Sequence, residues 1–433
     1  MGKAWMAAGR YDRALRVLEE GVGVCPDDAD LCTSSGVVCL QLGRMAEAET
    51  WFRRALDLRA GDAAATVWLA QTLSGSLRTD QAVEMLREDV RARPGRASVQ
   101  QTLVFLLMYL DGAQPEEVFR EHRLAGLLTA RSAGGVPPRV LVDADPERRL
   151  AIGYISPDFR QHSCAYFIEP LLAHHDRARV RTIAYSSTSG RDAVTRRLRA
   201  LVDEWRDVRP MSDEALAAQI AADRVDIAVD LAGHSASNRL ATLAYRPAPI
   251  AMTYMGYPNT TGMPGIDYRL VDARTDPPGS DSLATESLLR LVECFLCYQP
   301  PADAPPVAVP PGAARGQTTF GSFNALDKVS PSTTAAWAAI LAAKPDSRLV
   351  LKSSKLGDVS VRERLLARFE THGVGRARIE CLPWTGSIRE HLECYGNVDI
   401  ALDPFPYNGT TTTCESLYMG VPVVALAGAA HAG

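Results

Sequence analysis

The sequence predicts an α-helical repeat array followed by two α/β segments. Three observations predict this class. Positions recur with a period of 34 over about the first hundred residues. After a Gly/Pro-rich stretch at 134–138, short apolar runs alternate with helical stretches, the order of a doubly wound parallel sheet. Six prolines between 300 and 311 then form a semi-rigid linker to a second segment of the same kind.

The repeat is read first, because missing it miscalls the whole fold. Ala14, Ala48 and Ala82 fall in step, as do Leu18, Phe52 and Leu86. Pro26, Ala60 and Pro94 come next, and Gly9 matches Gly43. Small residues at fixed offsets let antiparallel helices approach, and the prolines stop the second helix of each pair. The spacing resembles the tetratricopeptide repeat, with Gly9, Tyr11 and Ala14 in its Gly-x-Tyr-x-x-Ala pattern. Such arrays need about three units or a neighbour to cap them, so these units are expected to lean on the later part of the chain. Their groove suits protein segments or a second copy of the chain. No Asn precedes residue 150, so no Asn row grips a bound backbone there, and a spacer or assembly surface stays equally open.

Residues 97–132 read as further helices. Val99, Leu103, Leu106, Leu107 and Leu110 share one helical face. Pro115 suits the first turn of the next helix, which carries His122, read as packed or capping. The division expected is 1–96 repeats, 97–147 helical connector, 148–312 first lobe with its Pro-rich end, and 313–433 second lobe.

In the first lobe, 149–156, 180–185 and 225–231 read as strands, with helices at 191–203 and 213–222. Ligands of such sheets bind at the carboxyl ends of the strands. There stand His162, in Ser156-Pro-Asp-Phe-Arg-Gln-His162, and His234, in Ala232-Gly-His234-Ser. Each is either a structural histidine or one of a functional pair. Residues 253–262 read as a loop whose rings and hydroxyls suit a sugar face.

In the second lobe, strands are expected at 347–352 and 398–402, and helices at 333–343 and 359–370. After the last strand comes Pro404-Phe-Pro-Tyr-Asn-Gly-Thr-Thr-Thr-Thr-Cys-Glu415. Four threonines where a helix begins offer caps, hydroxyls and the unpaired N–H groups that attract phosphate. Lys328, on another strand-to-helix loop, adds a full positive charge. Glu415 is placed to accept ribose hydroxyls. Two α/β lobes joined by a linker are expected to enclose a cleft.

Composition narrows the function classes. With 47 Lys+Arg against 51 Asp+Glu, the net charge of −4 argues against a dedicated nucleic-acid binder. No apolar run approaches the roughly 18 residues of a membrane span, and the N-terminus lacks a signal-peptide pattern. Nine scattered cysteines fit reduced thiols in a cytoplasmic protein. Cys294-Phe-Leu-Cys297 has no second ligand pair nearby for zinc and reads as structural thiols. Neither a Walker A sequence nor a Gly-x-Gly-x-x-Gly after a strand is present. Asp143-Ala-Asp145 has the spacing of a metal-dependent sugar-nucleotide site, but it falls in the inter-domain linker before the first lobe, outside any strand end, and is set aside.

Several longer motifs resemble one family, the bacterial O-linked N-acetylglucosamine transferases with tetratricopeptide repeats (glycosyltransferase family 41 type). They are Ile152 through His162, Asp230-Leu-Ala-Gly-His234, Arg246-Pro-Ala-Pro, Gly256-Tyr-Pro-Asn-Thr-Thr-Gly262, Phe323-Asn-Ala-Leu-Asp-Lys328, Asp403 through Glu415 and Gly420-Val-Pro-Val-Val. The resemblance implies a GT-B fold of two Rossmann-like lobes. It also implies a UDP-sugar donor held mainly by the second lobe, and metal-independent inverting transfer of N-acetylglucosamine to Ser/Thr hydroxyls. It matches His162 with a histidine proposed as base or acceptor contact, and His234 with the active-site histidine of the Gly-His loop. Lys328 matches the lysine on the UDP phosphates, and Thr410, Thr411 and Thr412 the phosphate loop. His391 matches a residue near uracil, and Glu415 takes the place of a carboxylate on the ribose. Met255 and Pro258 lie in the loop expected at the sugar, and Asn324 is counted with the donor-binding residues. The family continues with further helices after the last strand, so the second lobe is expected to be incomplete at Gly433. Transfer of glucose, a non-protein acceptor, or an inactive repeat scaffold are the alternatives left open.

Overall fold

A computed structural model describes residues 2–7, 9–134, 145, 147–188, 190–428 and 431. The stretch 135–144, with Asp143 and most of the expected boundary at 134–138, lies outside them. The chain divides into two compact units. One joins the residues up to Ala113 with Asp303–Gly428; the other runs from Gln114 to Ala302 and includes His431.

The first unit opens with seven helices: α1 (Gly2–Ala7), α2 (Tyr11–Val24), α3 (Ala29–Gln41), α4 (Met45–Leu58), α5 (Ala63–Gly75), α6 (Thr79–Ala92) and α7 (Ala97–Leu107). Leu110, expected on the face of α7, lies beyond its end. The 34-residue period is visible in the packing. Ala14, Ala48 and Ala82 are fully buried. A Cβ on Gly36 would come within 2.5 Å of the Phe52 ring, which explains a glycine inside a helix. Asp28 and Asp62 cap α3 and α5 by accepting from backbone N–H groups, Asp28 from Asp30 at 2.8 Å and Asp62 from Ala65 at 2.9 Å.

The repeats do lean on a later part of the chain. Met45 and Leu77 belong to one apolar core with Trp337, Leu356, Leu365 and Phe369 of the second α/β segment. The Met45 N–H donates to Asp358 at 2.8 Å, and Arg364 and Arg368 donate to the carbonyls of Ser76 and Leu77. The Pro-rich stretch is no free linker either: Ala304 packs on the Phe323–Tyr395 cluster and Arg389 donates to the Asp303 carbonyl.

The second unit begins with α8 (Pro115–Ser132), started by a proline as expected. It then forms a seven-stranded parallel sheet of β1 (Leu150–Ser156), β2 (Val180–Ser186), β3 (Glu204–Asp207), β4 (Ile227–Asp230), β5 (Ile250–Tyr254), β6 (Tyr268–Asp272) and β7 (Ser287–Leu291), in the order β3-β2-β1-β4-β5-β6-β7. Alternate residues feed opposite faces: Ile155, Ile183 and Tyr185 one core, Tyr154, Ala184 and Val229 the other. The stretch read as a loop from 253 is corrected here. Thr253 and Tyr254 close β5, whose edges are paired on both sides, and the loop starts at Met255.

The five-stranded sheet of the first unit comprises β8 (Thr319–Ser322), β9 (Arg348–Lys352), β10 (Ile379–Leu382), β11 (Ile400–Leu402) and β12 (Val423–Val424), all parallel, in the order β10-β9-β8-β11-β12.

Candidate functional site

Both sheets reverse direction once. In the seven-stranded sheet the chain runs outward through β1, β2 and β3, then returns to β4 beside β1. In the other it runs through β8, β9 and β10, then returns to β11 beside β8. The crevice at such a reversal, at the carboxyl ends of the two strands, is where open α/β sheets bind ligands. His162 comes after β1 and His234 after β4. Lys328 comes after β8, and Thr410–Thr412 after β11. Each half thus places its expected residues on the two loops that flank its own switch point.

In the β8–β11 half, Lys328 is half-buried. Its Nζ donates to the Asn408 carbonyl at 2.8 Å and stands 4.1 Å from the centre of the Tyr407 ring. Burial pushes its pKa down to about 8, so the ammonium still predominates at neutral pH. The helix Thr411–Tyr418 begins after Thr410, and no side chain caps it, contrary to the expected threonine cap. The threonine hydroxyls are engaged elsewhere. Thr412 donates to Asn324 Oδ1 at 2.9 Å, and Thr413 to Asp403 Oδ2 at 2.8 Å. Asn324 Nδ2 in turn donates to Asp403 Oδ1 at 3.2 Å. Asn324 and Asp403 therefore shape the helix start. Gly409 permits it, because a Cβ there would lie 2.5 Å from the Thr412 hydroxyl. What remains is an uncapped helix N-terminus beside a cation, an arrangement whose charge would attract an anion such as phosphate.

Glu415 and His391 meet, but not as two separate ligand contacts. Glu415 is buried and accepts from His391 Nε2 at 3.1 Å, while Lys352 Nζ donates to His391 Nδ1 at 2.6 Å. Glu415, expected at a ribose, here holds the His391 imidazole through one carboxylate oxygen. Phe323 and Tyr395 present their edges or faces to the same imidazole at 6.0 and 5.8 Å.

In the β1–β4 half, His162 is partly exposed. Its Nδ1 accepts weakly from the Cys164 N–H at 3.3 Å, and its Nε2 lies 3.7 Å from Asp158 Oδ1. Burial, more than Asp158 offsets, lowers its pKa. His234 is buried, at 5% exposure. Its Nε2 donates to the Thr261 carbonyl at 2.7 Å, and burial pushes its pKa down to about 4. Among the described residues its Nδ1 has no partner, nor has the buried hydroxyl of the adjacent Ser235. Unsatisfied buried polar atoms are rare and mark places awaiting a ligand. Met255 has the left-handed φ of 67°, uncommon for a residue with a long side chain and frequent at functional sites. Pro258 is half-buried in the same loop.

Asp158, His162 and Cys164 offer ligand atoms within 4.8 Å of one another, the one such grouping among the described residues. Burial pushes the Cys164 thiol up to about 12, which opposes the thiolate a soft metal requires. The cluster is a poor metal site for that reason. Cys294 and Cys297, expected as structural thiols, are free and exposed.

Sequence reasoning missed several residues here. Asp230 ends β4 buried, and accepts from Gly233 N at 2.7 Å and Thr253 Oγ1 at 3.0 Å. Burial raises its pKa to about 6. A carboxylate closing an apolar strand was a usable signal, as was Lys352 closing β9. Glu286 and Tyr257 carried none, because only packing brings them to His234.

Comparison with known proteins decides the family. The model of glycosyl transferase family 41 matches residues 140–298 and 312–433, and a tetratricopeptide repeat model matches 1–63. The chain belongs to glycosyl transferase family 41. The O-GlcNAc transferase of Thermobaculum terrenum, solved as a lysine-to-methionine variant, superposes with a TM-score of 0.94 at 36% identity. That match covers 100% of this chain and 82% of the other. SPINDLY of Arabidopsis thaliana, named a probable UDP-N-acetylglucosamine–peptide N-acetylglucosaminyltransferase, is 43% identical over 345 residues. SPINDLY of Solanum lycopersicum is 48% identical over 291 residues. Those matches take 78% and 66% of this chain, but it spans only 37% and 31% of the two plant proteins. Among the described residues, no helix is long and apolar enough to cross a membrane.

Proposed function

We propose that this chain transfers N-acetylglucosamine from UDP-N-acetylglucosamine to Ser and Thr hydroxyls of cytoplasmic proteins, with inversion at the anomeric carbon. The observation that carries the reading is Lys328 beside the uncapped start of the helix Thr411–Tyr418, in a chain of family 41. As the acceptor hydroxyl attacks the anomeric carbon, the C1–O bond to UDP breaks and the diphosphate takes the electron pair. The Lys328 ammonium and the first-turn N–H groups, with those of Thr411 and Thr412, neutralise the charge that develops. The His391–Glu415 pair and Asn324 frame the nucleoside side. Met255 and Pro258 line the sugar side. His162 and His234 serve the acceptor, whose hydroxyl needs a neutral base near pH 7. Charge stabilisation is the larger of these effects.

Residues 313–433 act in this reading as the donor lobe, 148–312 as the acceptor lobe, and 1–96 as a groove for acceptor proteins or a second copy. The stretch 97–147 connects the repeats to the first lobe.

The test is transfer to a peptide or protein acceptor, read by mass spectrometry, with UDP-N-acetylglucosamine, UDP-glucose and a guanine-nucleotide sugar as donors. The first is expected to be used. Lys328→Ala should lower turnover by about 10²–10³-fold, the usual loss for removing one such group. Near-normal turnover in that variant sinks the role of Lys328, and exclusive use of another donor sinks the donor assignment.

A further inference from the structure

We propose that Glu286 and His122 are positioning residues that lock His234 in a single neutral tautomer, so that Nδ1 is the atom offered to the acceptor's hydroxyl. The proposal rests on the acceptor-side reading of His234 above.

Glu286 is buried, at 4% exposure. Its carboxylate accepts from the Thr260 hydroxyl at 2.5 Å, from the Thr261 N–H at 2.7 Å, and from the Thr261 hydroxyl. Thr261 is thereby gripped at its backbone and its side chain, which fixes where its carbonyl points. That carbonyl receives His234 Nε2 at 2.7 Å. A carbonyl has no proton to give, so Nε2 must carry one. In a neutral ring Nδ1 is then bare. It is also buried and without a partner. Leaving such an acceptor unpaired is costly, and a bound hydroxyl would relieve that cost.

His122 acts from the other side. It lies on α8, fully buried, and its Nδ1 donates to the Val118 carbonyl at 2.7 Å. The same logic makes its Nε2 an acceptor, and the Tyr257 hydroxyl donates to it at 2.7 Å. Tyr257 so held stands edge-on to the His234 ring, with centroids 5.3 Å apart at 74°, and His122 itself stands at 5.7 Å and 68°. A turned His234 ring would meet these two neighbours. The backbone leaves no slack, because a Cβ on Gly233 would lie 2.2 Å from Tyr257 Cβ. One on Gly262 would lie 1.9 Å from the His122 carbonyl. Asp230 has a lesser part: it holds the 232–233 backbone rather than the imidazole.

The experiment is imidazole ¹⁵N NMR of the whole chain at neutral pH, paired with kinetics. His234 should show a protonated Nε2 and a bare Nδ1. A proton on Nδ1, or a charged ring, overturns the proposal and needs neither a variant nor turnover. Absence of transfer with the expected tautomer would count against the proposed function alone. Glu286→Gln should lower kcat about 10–100-fold, the scale of a misplaced group, and leave the KM for the sugar nucleotide within about twofold. It should also show a mixture of His234 tautomers. His122→Phe, which keeps a ring but loses the Tyr257 bond, should show a smaller loss of the same kind. A Glu286→Gln protein that stays folded by circular dichroism, with unchanged kcat and a single tautomer, also overturns it.

Discussion

The two α/β sheets share a topology and differ in charge. Both reverse direction beside their first strand, and both hang their polar residues on the two loops at that point. In the β8–β11 half these are an ammonium and an uncapped helix start, a positive and partly wet surface. In the β1–β4 half the nearest counterparts are histidines that burial keeps neutral. The difference teaches that the switch point supplies a place and not a chemistry. One half gathers positive charge, the other imidazoles that burial keeps uncharged. The halves also recruit helices differently. The repeats join the five-stranded lobe through an apolar core around Leu77 and Trp337. Helix α8 joins the seven-stranded lobe through bare backbone, Gly126 against Gly262.

Acid should expose the contrast most strongly. Burial holds His122 at about 3 and His234 at about 4, against 6.5 in an unfolded chain. Both folded values are depressed, so the unfolded state binds more protons as pH falls below 6.5, and stability is lost. At roughly 1.4 kcal/mol per pH unit for each such group, the two together lose several kcal/mol. Asp230, raised from 3.8 to about 6, takes up its proton earlier when folded and opposes the loss by about 3 kcal/mol on that scale. Arg269 and Glu286 face the same cluster. The histidines win, and urea midpoints should fall steeply from pH 6.5 to 4. His122→Phe should flatten that fall, and a flat profile in the unsubstituted chain would contradict the dry histidine cluster.

Helix α8 was legible as a helix, from Pro115 at its start, but its place was not. It read as a connector carrying a packed histidine, and it is a wall of the β1–β4 half. The reason is physical: His122 and Tyr257 stand 135 positions apart in the sequence, and no local pattern encodes a pair so distant. The repeat period, the strand β1 and the turn before the helix Thr411–Tyr418 were legible because local spacing and turn chemistry specify them. The strand β3 was missed because Glu204-Trp-Arg-Asp207 is polar and only partly buried at the sheet edge. The bond between Glu415 and His391 was not legible, since 24 residues separate the two and no local pattern pairs them.

A second break addresses that wall. A Cβ on Gly126 would stand 2.0 Å from the Gly262 carbonyl oxygen, backbone that cannot turn away. Gly126→Ala gains about 1 kcal/mol as a better helix former, but overpacking costs about 1–3 kcal/mol. A net loss of up to about 2 kcal/mol is expected in urea unfolding, with weaker transfer and unchanged UDP binding by calorimetry. A stabilised, fully active variant would mean that α8 is only a connector.

The charged half should answer to alkali instead of acid. Lys328 is held near 8 by burial, so its proton leaves as pH rises through that value. The dependence of kcat/KM on pH reports the free protein. It should bend downward near pH 8 and fall about tenfold per unit beyond it, equivalent to about 1.4 kcal/mol per unit. A plateau to pH 9.5 would place the essential cation elsewhere.

The smallest effect concerns how the repeats reach their lobe. Gly9, Gly43 and Leu77 stand 34 residues apart and share a left-handed φ of 68°, 73° and 63°. The first two have nothing within 4 Å of a Cβ, so glycine there serves the backbone alone. Leu77 accepts the strain, about 1–2 kcal/mol for a residue with a side chain, and buries that side chain to 2% exposure in the shared core. The third unit has therefore exchanged backbone comfort for attachment. Gly43→Ala should cost about 1 kcal/mol, because it adds the strain with no core to enter. Leu77→Gly should cost more than Gly43→Ala although it removes strain, since a buried leucine is worth about 2–5 kcal/mol. If Leu77→Gly were the more stable of the two, the core would not be what joins the repeats to the lobe.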